Sequence, residues 1–220
     1  MPFRAIIVDF YDVLYAEKDP SSVRAFEQEH RLPAGGLQEA MVQSPYFPAA
    51  RLGKVSGETL WQDVAEQIGL SADQWHILVS IRESAFGLND KLVALLEQLH
   101  PHYKIALLSN ATPHVRRLIT QRFHLDHLFD ALVISAEEGV KKPEPEIYER
   151  TLGRLQVPAH ETVFVDDDQS YVAAAQALGM QGIVFRTTDQ ATQDLQRVLV
   201  PSKEHAPLIS DEPLRGFPTS

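Results

Sequence analysis

The stretch IIVDFYDVLY, residues 6–15, runs three β-favouring residues into Asp9 and follows it with Tyr11 and a second carboxylate, Asp12. The apolar run that leads in, FRAIIV at 3–8, has no helical period and reads as a buried strand that stops at Asp9. Four more runs resemble it: KIALL at 104–108, ALVIS at 131–135, TVFV at 162–165 and GIVF at 182–185. Between them lie segments with helical spacing. Thr112 can cap a helix opened by Pro113. Pro145 can open another, with Ile147, Tyr148, Leu152 and Leu155 on one face. Asp168 or Ser170 can cap a third, alanine-rich over 173–177 and closed by Gly179. Strands alternating with helices predict an α/β fold, a Rossmann-like parallel sheet flanked by helices. In such sheets, ligands bind beyond the carboxyl ends of the strands.

About ninety residues separate the first two strands, and a crossover needs only one helix. Helical patterns fill the surplus at 21–30, 37–43, 57–68 and 72–85, and a further one at 90–99 belongs to the sheet. The spacing therefore predicts a small helical cap inserted after strand one, at 16–84, on a core made of 1–15 and 85–200. The end, 201–220, carries Pro201, Pro207, Pro213 and Pro218 among polar residues and reads as an irregular tail.

Bulk composition narrows the chemistry. The 220 residues are 44% hydrophobic and 23% charged, enough for a sizeable core. The formal net charge is -10 with no offsetting basic run, which argues against nucleic acid as a partner. With no cysteine, thiolate metal sites, disulfides and cysteine nucleophiles are excluded. No apolar run is long enough to span a membrane, so no membrane partner and a cytoplasmic location are expected.

Polar residues fall where the strands end. Asp9 ends the first, Ser109 and Asn110 the second, and Asp166 with Asp167 the fourth; Lys142 lies in the loop after the third, ahead of Pro143. Their chemistry is coherent. A carboxylate can attack phosphorus and form an aspartyl-phosphate. Clustered carboxylates repel one another unless a hard cation joins them, and Mg²⁺ prefers such oxygen ligands. A lysine and a hydroxyl can hold phosphoryl oxygens while charge shifts.

Four motifs in order, VDFYDVL, LLSN at 107–110, GVKKPEPEIY at 139–148 and VFVDDDQSYVAAAQALGM at 163–180, resemble the haloacid dehalogenase (HAD) superfamily, chiefly aspartate-dependent phosphatases. The insertion, with FPAARLGKVSGETLW at 47–61, is similar to the helical cap of the branch near bacterial sugar-phosphate phosphatases and the phosphatase-like domain of epoxide hydrolases. The resemblance implies a Mg²⁺-dependent phosphatase acting on a small phosphorylated metabolite, a sugar phosphate among the candidates. It implies that Asp9 is nucleophile and metal ligand. Ser109 and Asn110 would bind the phosphoryl group. Lys142 would pair with both nucleophile and phosphate. Asp166 and Asp167 would hold the metal, with Tyr11 adding its backbone carbonyl.

Tyr11 departs from the family pattern. The resemblance places there a second aspartate that protonates the leaving oxygen, a contribution of ~10²–10⁴ in rate. Asp12 takes instead the place of a glycine, and aspartate tolerates left-handed backbone. The expected substrates therefore have leaving groups that need little protonation, such as anomeric, acyl or aryl phosphates. Two alternatives stand beside this. One is a phosphate- or metabolite-binding protein with little catalysis. The other is a metal-independent 2-haloacid dehalogenase, which Tyr11 suits but the acidic pair Asp166 and Asp167 does not.

Asp168 reads as a helix cap and not a ligand. His124 and His127 lack a partner cluster for zinc. Trp61 and Trp75 read as packing within the insertion, where Tyr46, Phe47, Arg51 and Lys54 are candidate substrate contacts.

Overall fold

Ile6 and Val8 face one apolar layer, Ala5 and Ile7 the other, so the first strand is buried on both sides. A computed structural model describes residues 2–199 of the chain; the end expected to be irregular, 201–220, lies outside the described residues. The strands are β1 (Ala5–Val8), β2 (Tyr15–Glu17), β3 (Phe86–Leu88), β4 (Lys104–Ser109), β5 (Ala131–Ile134), β6 (Thr162–Asp166) and β7 (Gln181–Val184). Five of them make a parallel sheet in the order β5-β4-β1-β6-β7, with β1 at the centre. Val8 lies opposite both Leu107 and Val165. The residue after β1 thus emerges beside the ends of β4 and β6, at the point where the strand order reverses.

The helices are α1 (Ser21–Glu29), α2 (Gly36–Gln43), α3 (Phe47–Ala50), α4 (Gly57–Gln67), α5 (Trp75–Ala85), α6 (Asp90–Leu99), α7 (His114–Arg117), α8 (Ser135–Glu138), α9 (Pro145–Leu155), α10 (Gln169–Ala177) and α11 (Thr188–Leu199). Leu92 and Leu96 of α6 and Leu195 of α11 cover one face of the sheet. Ile147, Tyr148 and Leu155 of α9, with Val172 and Ala175 of α10, cover the other. The fold is the expected α/β sheet with helices on both faces. None of its described helices is long and apolar enough to cross a membrane.

Local details follow the residue types, with exceptions. Pro145 opens α9 and Asp168 caps α10 by accepting from the Ser170 N–H at 2.7 Å. Thr112 does not cap as expected. The helix starts one residue later, at His114, and the cap position is Pro113, which has no side-chain acceptor. The segment 72–85 is not one helix either. Ser71 caps a short 3-10 turn, Ala72–Gln74, and α5 begins only at Trp75. α11 and the pair β2 and β3 were not expected.

α1–α5 pack around an apolar cluster of their own, including Phe26, Leu37, Met41, Leu60, Val64 and Leu78. The chain enters and leaves this insertion through β2 and β3, which pair antiparallel. Contacts at one seam help seat the insertion on the core. The Ser135 hydroxyl donates to the Arg51 carbonyl at 2.6 Å, and the Arg51 Nε–H donates to the Asn110 carbonyl at 3.0 Å. Gly53, at φ +68°, comes so close to Ala136 that a Cβ would stand 2.0 Å from its carbonyl oxygen.

Candidate active site

Asp9 follows the central strand and is buried, its side chain 10% exposed. Its main chain still belongs to the sheet, because its N–H donates to the Val165 carbonyl at 3.0 Å. The Phe10 N–H donates to Asp9 Oδ1 at 2.7 Å and fixes the carboxylate. The turn beyond is tight. The N–H groups of Leu14 and Tyr15 both return to the Phe10 carbonyl, and the Asp12 N–H donates to the Tyr15 carbonyl. Asp12 sits at φ 60°, the left-handed conformation that aspartate tolerates.

Lys142 reaches the same point from the loop after β5. Its Nζ lies 3.0 Å from Asp9 Oδ1 and 2.6 Å from Asp166 Oδ2, and the side chain is wholly buried. Burial alone would lower the lysine pKa, but Asp9 and Asp166 together outweigh it and hold the ammonium above its usual range. Lys141 is the outer of the two lysines, half-buried where Lys142 is buried. Asn110 lines the site's cavity and also holds Lys142. Its side-chain amide donates to the Lys142 carbonyl and accepts from the Lys142 N–H, both at 2.8 Å. The amide thus fixes the main chain of Lys142 through both of its polar atoms. The buried Ser109 ends β4 and lines the cavity described below.

Asp166 ends β6 fully buried, and its Oδ1 accepts from the Asp168 N–H at 2.9 Å. One carboxylate oxygen each from Asp9, Asp166 and Asp167 can be chosen so that all lie within 4.8 Å of one another. Burial first, and then the charge of Asp9, raises the pKa of both Asp166 and Asp167. Asp9 and Asp166 share one lysine here, and Asp167 stands beside them. The donor set is all oxygen, and the charge deficit is what a hard divalent cation relieves, so these residues fit Mg²⁺.

A cavity of about 680 Å³ opens over Asp9, Tyr11, Ser109 and Asp167 and runs into the insertion. Its far wall carries an apolar patch, Val23, Leu37, Met41, Phe47, Leu60 and Trp61, with Arg24, Glu27 and Gln38 beside it. Of the candidates in the insertion, Phe47 and Arg51 line the cavity. Tyr46 is exposed, and Trp75 packs on the insertion's cluster as expected. His127 Nδ1 lies 3.0 Å from the His124 carbonyl, and the two form no metal cluster among the described residues. Arg82 was missed. It lines the cavity from the last turn of α5, its guanidinium 5.3 Å from the Tyr11 ring centre and 4.7 Å from that of Phe86. Nothing in its sequence neighbourhood marks it, since only the folded insertion turns it toward Tyr11.

A family model described as a haloacid dehalogenase-like hydrolase matches residues 3–179. The sesquiterpene phosphatase astK of Aspergillus oryzae is 33% identical over 163 residues, which cover 72% of this chain and 82% of that protein. The drimenol cyclase drtB of Aspergillus calidoustus is 25% identical over 200 residues, covering 89% of this chain but only 36% of the cyclase. Among solved structures, a HAD family enzyme of Bacteroides thetaiotaomicron in complex with magnesium and inorganic phosphate aligns with a TM-score of 0.68. The identity is 21%, over 84% of this chain and 96% of that one.

Proposed function

The chain belongs to the haloacid dehalogenase-like hydrolases, and on that premise we propose that it is a Mg²⁺-dependent phosphatase that hydrolyses a phosphomonoester through an aspartyl-phosphate on Asp9. The observation that carries the reading is the convergence of Asp9, Lys142, Asp166 and Asp167 at one sheet edge, with Asp9 open to the cavity. The relatives that are phosphatases by name support the same bond.

In this reading Asp9 attacks phosphorus. Lys142 holds the nucleophile in line and meets the phosphoryl oxygens together with Ser109. Asp9, Asp166 and Asp167 would hold the cation, and the Tyr11 carbonyl would offer a further oxygen. The cation supplies charge neutralisation for the phosphoryl group and lets the anionic substrate approach an anionic nucleophile. Asn110 keeps Lys142 in place through both of its main-chain groups. The insertion acts as a cap, screening the reacting atoms from bulk water and choosing the substrate.

The apolar patch on the far wall suits a substrate whose organic part includes a hydrocarbon portion. Of the polar groups on that side, Glu27 is committed, while Arg24 and Gln38 line the cavity as well. Glu27 accepts from the N–H groups of Gly35 and Leu37. The name of the Aspergillus oryzae phosphatase fits such a substrate. A dehalogenase reading has to place a bare Asp9 anion beside two more carboxylates, which the charge balance disfavours. The test compares phosphate release from an aryl phosphate with and without Mg²⁺, in the wild type and in Asp9→Asn, with halide release from a haloacid in parallel. Metal-dependent phosphate release lost in the variant is expected. Halide release indifferent to chelator, or no turnover with phosphate still bound, would replace this reading with one of its two rivals.

A further inference from the structure

We propose that Arg82 is a catalytic residue whose guanidinium stabilises the negative charge that develops on the departing oxygen, the task left open by Tyr11. The proposal rests on the phosphatase reading above.

Arg82 stands where the insertion rejoins the core, at the end of α5 and before β3. The rings of Tyr11 and Phe86 hold its guanidinium by their faces. No carboxylate lies within ion-pair distance of it among the described residues. The adjacent Glu83 is spent on His114, at 2.8 Å, and on Arg122, at 2.5 Å. The Nε of Arg82 is buried and has no hydrogen-bond partner among the described residues. Tyr15 touches the same two rings, with centres 6.1 Å from Tyr11 and 5.5 Å from Phe86, and its hydroxyl is likewise buried without a partner. Burial pushes the Tyr15 phenol up to about 12, so it stays neutral and does not serve as a counter-ion. Asp12 is the remaining acid that senses the arginine, and it is exposed on its left-handed turn.

An arginine left without a counter-ion inside a cavity is costly unless a ligand supplies the anion. This cavity is shared with the nucleophile, and the ring beneath the guanidinium is the residue at the acid–base position. The chemistry follows. As an Asp9 oxygen bonds to phosphorus, the bond from phosphorus to the organic oxygen breaks and its electron pair stays on that oxygen. An Arg82 N–H donates a hydrogen bond to it. Arginine stays protonated, so the help is electrostatic and no proton leaves the guanidinium. The departing oxygen takes its proton from water. The water that later cleaves the aspartyl-phosphate gives one back, so the cycle balances.

The contribution must then grow with the charge on the leaving oxygen. The experiment measures kcat/KM for a series from 4-nitrophenyl phosphate through phenyl phosphate to an alkyl phosphate, in the wild type, Arg82→Met and Arg82→Lys. Loss of one such donor is expected to cost roughly 10²-fold on the alkyl phosphate and little on 4-nitrophenyl phosphate. Arg82→Lys is expected to fall between, and it carries the test if the methionine variant does not fold. An equal loss across the series, as a purely structural role would give, overturns the proposal, and so does no loss. A wild type that releases phosphate from none of these esters overturns the phosphatase reading and this inference with it.

Discussion

The side-chain amide of Asn110 closes a ring of two hydrogen bonds, each 2.8 Å, on the main chain of Lys142. A residue at the end of one strand thereby sets the height of a lysine that arrives from another loop. Asn110→Asp replaces the donor with an oxygen that faces the Lys142 carbonyl. A buried carbonyl left unsatisfied costs about 2 kcal/mol, which for a domain of this size lowers Tm by roughly 4–8 °C. The same variant is expected to lower kcat more than it raises KM, because it displaces the lysine and not the cavity wall. Thermal melts and steady-state kinetics check both.

Lys142 is the only cation within ion-pair distance of Asp9 and Asp166 among the described residues. Its removal in Lys142→Met leaves two buried carboxylates unpaired, a change of ~3–5 kcal/mol in other proteins. Added Mg²⁺ is expected to raise Tm more in this variant than in the wild type, since the cation then carries the whole neutralising charge. Melts across a magnesium titration measure the difference. Equal shifts would mean that the cation and the lysine do not share these oxygens.

Much of this site was legible in the sequence, for one physical reason. Asp9, Ser109, Asp166 and Asp167 close runs so apolar that each run has to be a buried strand, and a parallel sheet gathers strand ends at one edge. Lys142 stood out because its loop follows such a run. The insertion was different. Its helices announce themselves by period, but which side chains they turn toward Asp9 depends on how five short helices pack. Arg82 had no local mark, and the tie from Asn110 to Lys142 spans 32 residues of sequence, too far for any local pattern to reveal. β2 and β3, three residues each, are too short for any pattern to stand out.

Tyr11→Asp restores a carboxylate at the acid–base position and sets it beneath the Arg82 guanidinium. Alkyl phosphates are expected to gain about 10-fold or more in kcat, within the ~10²–10⁴ range of general acid–base help, while 4-nitrophenyl phosphate changes little. In that background Arg82→Met is expected to cost less than it does beside tyrosine, a non-additivity that a double-mutant cycle reads directly.

Gly53 bears on closure. A methyl group there meets the Ala136 carbonyl oxygen, and the backbone angle is one that alanine adopts with strain. Gly53→Ala should lift the insertion at the seam where Arg51 meets Asn110 and Ser135. KM is expected to rise by roughly tenfold, matching ~1–3 kcal/mol of strain, with the Mg²⁺ requirement unchanged. An unaltered KM would show that this seam plays no part in holding substrate.

The central claim is a covalent phosphoryl group on Asp9. Mixing enzyme with excess aryl phosphate and Mg²⁺, quenching in acid within the first turnover and mapping the peptides by mass tests it most directly. The account expects a phosphoryl mass on the peptide that contains Asp9, absent with chelator and absent in Asp9→Asn. Rapid phosphate release with that peptide unmodified at every time point, or a modified residue elsewhere, would contradict it.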